Sequence, residues 1–233
     1  MEQKGHLHPI TQTIREIYGI FSELGFQFAE GPELETEFNN FDALNMPKDH
    51  PARDMQDTFW IKGKMNELPG RLLRTHTSSV QIRHMMAGKP PFRIVVPGKV
   101  FRNEATDATH EAQFYQVEVL CVDKNVSLAD LKGTLEYFFQ KLFGDDVEIR
   151  FRPSFFPFVE PGVEVDMRWK GKWLEMGGAG LVHPNVFKAA GVDPAEWSGF
   201  AWGIGIDRLV LLKYGIDDVR HLYDGDLRLI DQF

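Results

Sequence analysis

Apolar positions near the start of the chain follow a helical rhythm. Ile10, Ile14, Ile17, Phe21 and Leu24 recur at spacings of four and three, the stripe of an amphipathic helix. Gly25 behind them suits a left-handed C-terminal stop. FQFAE then reads as a strand, ended by Gly31-Pro32 because proline brings no N–H to a ladder. Residues 33–41 predict a second helix, acidic on its exposed side. Residues 43–58, with two prolines and mixed charge, predict a long surface loop, and FWI around Trp60 a short strand. Val80, Ile82, Met85 and Met86 predict a helix ending at Gly88, capped by Thr77, Ser78 or Ser79.

Beyond residue 90 the period is mostly two. FRIVVPGKVF is β-branched but interrupted by Pro97-Gly98, which predicts a strand with a kink or bulge. It runs into the stretch on which the chain is organised, FRNEATDATHEAQFYQVE over 101–118: a strand carrying Arg102 and Glu104, a polar loop over 105–112, and a return strand. Alternation places Phe114, Gln116 and Glu118 on one face of that strand and Tyr115, Val117 and Val119 on the other. Ser127 and Asp130 open a helix with Leu128, Leu131, Leu135, Phe138 and Leu142 as its buried stripe. VEIRF, VEVDMRW, KWLEMGG and GFAWG follow as strands, with hairpin chemistry at Lys170-Gly171. A short helix lies near 184–190, and a last one over 206–214 stops at Gly215. Short turns between strands outnumber α/β alternations, so the predicted class is α+β, an antiparallel β-sheet flanked by helices. No repeat, low-complexity segment or linker divides the chain, and a single domain over 1–233 is expected.

The surface made by Phe114, Gln116, Glu118 and the nearby Arg102 suits a ligand with a flat ring, an anion and an amine. A solvated sheet face would carry the same pattern. GFAWGIGIDRL is a strand, two glycines and a helix start, where exposed amides favour anions. It lacks the third glycine of a dinucleotide fingerprint, and close strand–helix packing is its purely structural reading. Arg208 in the first turn of that helix opposes the dipole, which calls for an anionic or stacking partner. Phe155-Phe156-Pro157-Phe158 fits either core packing or the wall of an apolar pocket. Glu104 or Glu118, with substrate phosphates, is chemically suited to magnesium.

Composition removes several classes. Hydrophobic residues at 43% and charged residues at 26% are ordinary for a soluble protein. No apolar run approaches the roughly 20 residues that cross a bilayer, and MEQKGHLHP lacks a signal-peptide core. With Cys121 as its one cysteine the chain forms no internal disulfide, so a cytoplasmic location is expected. A net charge of −8 argues against a general grip on nucleic acid, leaving a local patch or a partner for any RNA contact. The eight histidines show no HExxH and no zinc spacing, and there is no CxxC. No GxSxG is present, and Cys121 faces away from Gln116 and Glu118.

Seven ordered stretches, HPITQTIREIYGIFSELGF, EGPELETEFNNFDALNMPKDHPARD, LLRTHTSSVQIR, PGKVFRNEATDATHEAQFYQVE, RFRPSFFPFVEPGVEVD, LVHPN and GFAWGIGIDRL, together make the chain resemble the α-subunit catalytic domain of bacterial phenylalanyl-tRNA synthetases, a class II aminoacyl-tRNA synthetase family. The resemblance covers nearly the whole chain and implies the class II catalytic fold. It places Pro32 in the first class II motif, at a subunit interface. Arg102 and Glu104 then match the second motif, on the α-phosphate and the adenine amino group of ATP. Phe114 stacks on adenine, His110 belongs to the same ATP-binding set, and Arg208 of the third motif covers the other adenine face. His76, Ser78, Gln116 and Glu118 match the residues that hold the ends of phenylalanine. Trp60, Phe156, Phe158, Ala201 and Gly203 match the surroundings of its ring.

The implied activity is ATP-dependent formation of phenylalanyl-adenylate and transfer to tRNA(Phe), assisted by Mg2+, for which Glu104 or Glu118 is the candidate ligand. The implied partner is the β-subunit of an α2β2 heterotetramer. Two departures stand out. Asp207 precedes Arg208 where glutamate is frequent, and the family's N-terminal tRNA-binding helical arm is not in this sequence, so the transfer step is expected to be weak. Two other readings accompany this one: a synthetase-like sensor without turnover, and a fragment inactive until it meets its partner.

Overall fold

A computed structural model describes residues 5–49, 58–61 and 70–233. Helix α1 (Pro9–Glu23) begins where the His8 ring accepts the Ile10 N–H and ends at Gly25, whose φ of +74° no β-carbon would tolerate well. Next come strands β1 (Gln27–Phe28) and β2 (Leu34–Thr36), helix α2 (Glu37–Asn40), strand β3 (Arg71–Leu73), helix α3 (Ser78–Ala87) and the hairpin β4 (Phe92–Phe101) and β5 (Gln113–Asp123). Helix α4 (Leu128–Phe143) starts in a reciprocal Ser127/Asp130 capping box. Strands β6 (Glu148–Pro153), β7 (Val159–Trp169) and β8 (Lys172–Val182), helix α5 (Pro184–Ala189), strand β9 (Ser198–Gly205), helix α6 (Ile206–Tyr214) and the short helix α7 (Leu227–Ile230) complete the chain.

Among the described residues the strands build a seven-stranded sheet ordered β1-β4-β5-β9-β8-β7-β6, and β2 pairs with β3 alone. The large sheet is antiparallel except at one edge, where β1 lies parallel to β4. Even-numbered residues of β5 face one side and odd-numbered residues the other. Val117, Val119 and Cys121 join Phe21, Phe138 and Trp202 in a core beneath α1, α4 and α6. The three rings lie 5.3–5.8 Å apart. Leu120 and Val122 join Ile82, Met85, Val186 and Phe187 in a second core under α3 and α5. Each fully buried aromatic contributes roughly 2–3 kcal/mol through its apolar area. The Lys170-Gly171 turn has φ of +48° and +79°, the left-handed pair that matches strand twist.

Four local expectations are corrected. Residues 33–41 are not one helix: 34–36 pair with β3 before Thr36 caps α2. Glu35 is fully buried rather than exposed, because Arg83, Asn39 and the Thr36 N–H occupy its carboxylate. Ala43, Leu44 and Met46 are core residues, not surface loop; residues 50–57 of that predicted loop lie outside the described residues. β4 passes through Pro97-Gly98 without a register shift. The Val95 and Lys99 carbonyls and the Phe101 N–H face the outer edge, so Pro97, of the same parity, puts its missing donor where β1 no longer reaches.

Candidate active site

The site face of β5 meets the N-terminus of α3 at Glu118. No side chain caps that helix; instead the Glu118 carboxylate accepts from the Ser78 hydroxyl and from the Thr77 and Ser78 amides. Gln81, one turn on, donates to the same carboxylate at 2.9 Å. Unpaired amides and dipole both favour an anion at a helix start. Burial nevertheless dominates, and the Glu118 carboxyl is pushed up to about 7. Gln116 lies beside it with a buried Oε1 that has no hydrogen-bond partner.

Strand β9 supplies the floor. Gly203 pairs with Glu118, and a β-carbon there would stand 2.9 Å from both Gln116 Nε2 and Glu118 Cγ. Ala201 is next along the same face. On β8, Gly178 lies under the Phe156 ring, at 2.8 Å from where its own β-carbon would stand. Phe156 and Phe158 stack at 5.9 Å between centroids and wall the apolar end. Asn45, at φ +60°, donates to the Pro157 carbonyl at 2.7 Å and holds that wall in place.

Arg102 closes the polar end. Its guanidinium stands 5.1 Å over the Phe114 ring and donates to the Thr75 carbonyl at 3.2 Å. Burial lowers its pKa, opposed by Glu104 and Glu118. His76 is buried between these groups, and neither ring nitrogen makes a hydrogen bond of ordinary geometry. Burial, then the Arg102 charge, take its pKa down to about 3, so the ring is neutral. The result is a cleft of about 660 Å³ whose lining includes His76, Ser78, Arg102, Gln116, Glu118, Phe156, Phe158, Ala201 and Gly203. Unpartnered buried polar atoms beside a stacked aromatic wall are what a ligand with polar and ring ends would satisfy.

The other expected site residues are placed differently. Phe114 joins the cleft only through Arg102, and Glu104 is half-buried just past β4. His110 is exposed in the loop of the hairpin, held by Asp107. Arg208 is exposed in the first turn of α6, three residues after Gly205, which pairs with Gln116. Its neighbour Asp207 points inward, accepting the Tyr115 N–H at 2.7 Å and the Tyr223 hydroxyl. Trp60 does not line the cleft: it bridges to Leu72 and is 45% exposed. Glu118 does not fit as a magnesium ligand, since α3 and Gln81 already take its oxygens, and the described residues contain no cluster of three metal-ligating side chains.

Three structural residues escaped the sequence reading. Gln81 and Asn45 carry no periodic signal. Arg74 is buried across Gly98, donating to the Lys99 and Gly31 carbonyls, and any side chain at 98 would meet its guanidinium. The glycine after Pro97 was the available clue.

Comparison with known proteins converges on one family. A family profile described as "tRNA synthetases class II core domain (F)" matches residues 1–233. The chain is 52% identical to a phenylalanine–tRNA ligase α subunit of Prochlorococcus marinus (strain MIT 9313) over 229 residues, covering 98% of this chain and 66% of that protein. With the corresponding subunit of Aliivibrio fischeri (strain MJ11) the identity is 53% over 232 residues, 99% of this chain and 69% of the relative. The chain thus spans about two thirds of the length of these relatives. Among solved structures, pyrrolysyl-tRNA synthetase from Desulfitobacterium hafniense shares the fold with a TM-score of 0.71 at 17% identity, covering 93% of this chain and 74% of that one.

Proposed function

Because the chain belongs to the class II tRNA synthetase core-domain family, among the phenylalanine–tRNA ligase α subunits, we propose that it activates phenylalanine with ATP and passes the product to tRNA(Phe). One observation carries this reading. A single cleft brings Arg102 on its aromatic platform to one end, the Gln116–Glu118 pair to the middle, and stacked Phe156 and Phe158 to the other.

Phenylalanine lies with its ring against Phe156 and Phe158, over Ala201. Its ammonium faces Glu118 and Gln116, and its carboxylate lies near His76 and Ser78. Neutral His76 suits this place, because it offers an N–H without a competing charge. Adenine stacks on Phe114, with Glu104 near its amino group, His110 alongside and Arg208 over the other face. A carboxylate oxygen of phenylalanine attacks the α-phosphorus in line, one P–O bond forms, and the bond to pyrophosphate breaks. Arg102 and Arg208 offset the charge that accumulates on the phosphoryl oxygens. Positioning and electrostatics of this kind need no protein nucleophile. Glu104, the expected carboxylate not enclosed by α3, would help hold a magnesium ion, which would neutralise charge on the ATP phosphates.

An apolar pocket rejects the extra hydroxyl of tyrosine by only about 100-fold, so the methyl of Ala201 contributes by steric exclusion. The β-subunit and tRNA(Phe) are the partners. No described helix is long and apolar enough to cross a membrane; the cytoplasmic location we propose rests separately on tRNA(Phe) as the proposed substrate. Identity of 52% to phenylalanine–tRNA ligases favours turnover over a sensor. The test is phenylalanine-dependent ATP–pyrophosphate exchange by the chain, alone and with a β-subunit. Absence of exchange in both would end the proposal, and charging of tRNA(Phe) in the second tests transfer.

A further inference from the structure

The segment that follows α6 has contacts that the cleft alone does not explain. Val219 and Leu222 are buried in the main core, and Asp218 caps the 3-10 turn between them. Three bonds leave this turn for distant parts of the chain. The Val219 N–H donates to the Ala108 carbonyl at 2.9 Å. The Tyr223 hydroxyl donates to Asp207. The Leu222 carbonyl lies 3.0 Å from His8 Nε2, at the start of α1.

The first two land next to the ATP residues proposed above. Ala108 is in the loop between Arg102 and Phe114, a loop otherwise closed by its own Asp107–His110 and Arg102–Ala112 bonds. Asp207 immediately precedes Arg208. Its second oxygen takes the Tyr115 N–H at 2.7 Å, on the residue after Phe114. One short turn therefore fixes the loop beyond Arg102, the strand behind Phe114 and the helix start that carries Arg208.

We infer that residues 219–223 act as a clasp that sets Arg208 against the Arg102–Phe114 hairpin, with Tyr223 as a positioning residue for ATP. The inference rests on the reading of Arg102 and Arg208 as the ATP clamp. Tyr223 itself touches no substrate; it acts through Asp207.

The test compares Tyr223→Phe with the unaltered chain in the presence of its β-subunit, using Tyr137→Phe as a matched control. Tyr137 also donates to a carboxylate, that of Glu23, but far from the cleft. In pyrophosphate exchange, Tyr223→Phe raises KM for ATP about tenfold, the equivalent of roughly one hydrogen bond to a charged group. KM for phenylalanine stays within about twofold. Adding Tyr223→Phe to Asp207→Asn changes little further, since the two share one contact. Independently of turnover, backbone hydrogen exchange across 105–112 speeds up in Tyr223→Phe and not in Tyr137→Phe. Unchanged loop exchange overturns the clasp, as does a KM for ATP equal to that of the unaltered chain. If the unaltered chain shows no exchange activity while the loop still loosens in Tyr223→Phe, the clasp stands and the ATP reading falls.

Discussion

Replacing Glu118 by glutamine should abolish the acid sensitivity of phenylalanine binding. Burial holds this carboxyl up at about 7 in the unliganded protein, even with Ser78, the Thr77 and Ser78 amides and Arg74 favouring its ionised form. The ammonium proposed to face Glu118 favours the carboxylate form by its charge, so a protonated Glu118 must first lose its proton. Below pH 7 each unit therefore weakens binding about tenfold, and at pH 5.5 the Kd lies about thirtyfold above its alkaline plateau. In Glu118→Gln the amide oxygen can still accept from Gln81, but a buried charge partner is gone. Such losses cost about 2–5 kcal/mol, or thirtyfold and more in Kd, now without a pH slope.

Titration calorimetry with phenylalanine from pH 5.5 to 8 reads both quantities, and the proton released on binding below pH 7 should disappear in the variant. Stability has the opposite sign. The folded pKa lies above the ordinary 4.5, so the group's contribution is full below about 4.5 and is lost as pH rises through 7. Without ligand, Glu118→Gln should consequently lose less stability than the parent between about pH 4.5 and 8. A parent Kd that is flat from pH 5.5 to 7.5, or a variant that keeps the slope, refutes this account of Glu118.

Other perturbations test separate parts of the structure. Gly203→Ala puts a methyl 2.9 Å from Gln116 Nε2 and Glu118 Cγ; KM for phenylalanine should rise at least tenfold with that for ATP little changed, and equal effects on both would count against the floor assignment. Ala201→Gly opens space beyond the ring, so para-chlorophenylalanine should support pyrophosphate exchange in the variant and not in the parent; no gain would place Ala201 elsewhere. Arg83→Met strands the fully buried Glu35 carboxylate and should cost about 3 kcal/mol or more in urea unfolding at pH 7. Because burial of Glu35 is outweighed by Arg83, Thr36 and Asn39, its pKa is net lowered. The stability it brings is present above 4.5 and fades as pH falls below, so the Arg83→Met deficit should shrink in acid; a deficit that grows there would contradict the pairing.

Features determined by the sequence itself are those whose cause lies within a few residues. The α1 stripe, the Ser127/Asp130 box, the Lys170-Gly171 turn and the stop at Gly215 depend on local periodicity, capping and φ, and all stand where the pattern puts them. Strand parity was equally local: Gln116 and Glu118 reach the cleft while Cys121 lies in the core on the opposite face. Tertiary structure alone decided what those side chains meet. Residues 33–41 have helical propensity, yet 34–36 become strand because β3 offers a ladder across more than thirty intervening positions. Glu35 is buried because Arg83, 48 residues away, arrives to neutralise it. Among the described residues β1 ends before Pro97, so β4 accommodates it, and Trp60 bridges to Leu72 rather than lining the cleft. Short-range patterns specify which way a side chain points; the free energy of burying it depends on partners that only the folded chain brings within reach.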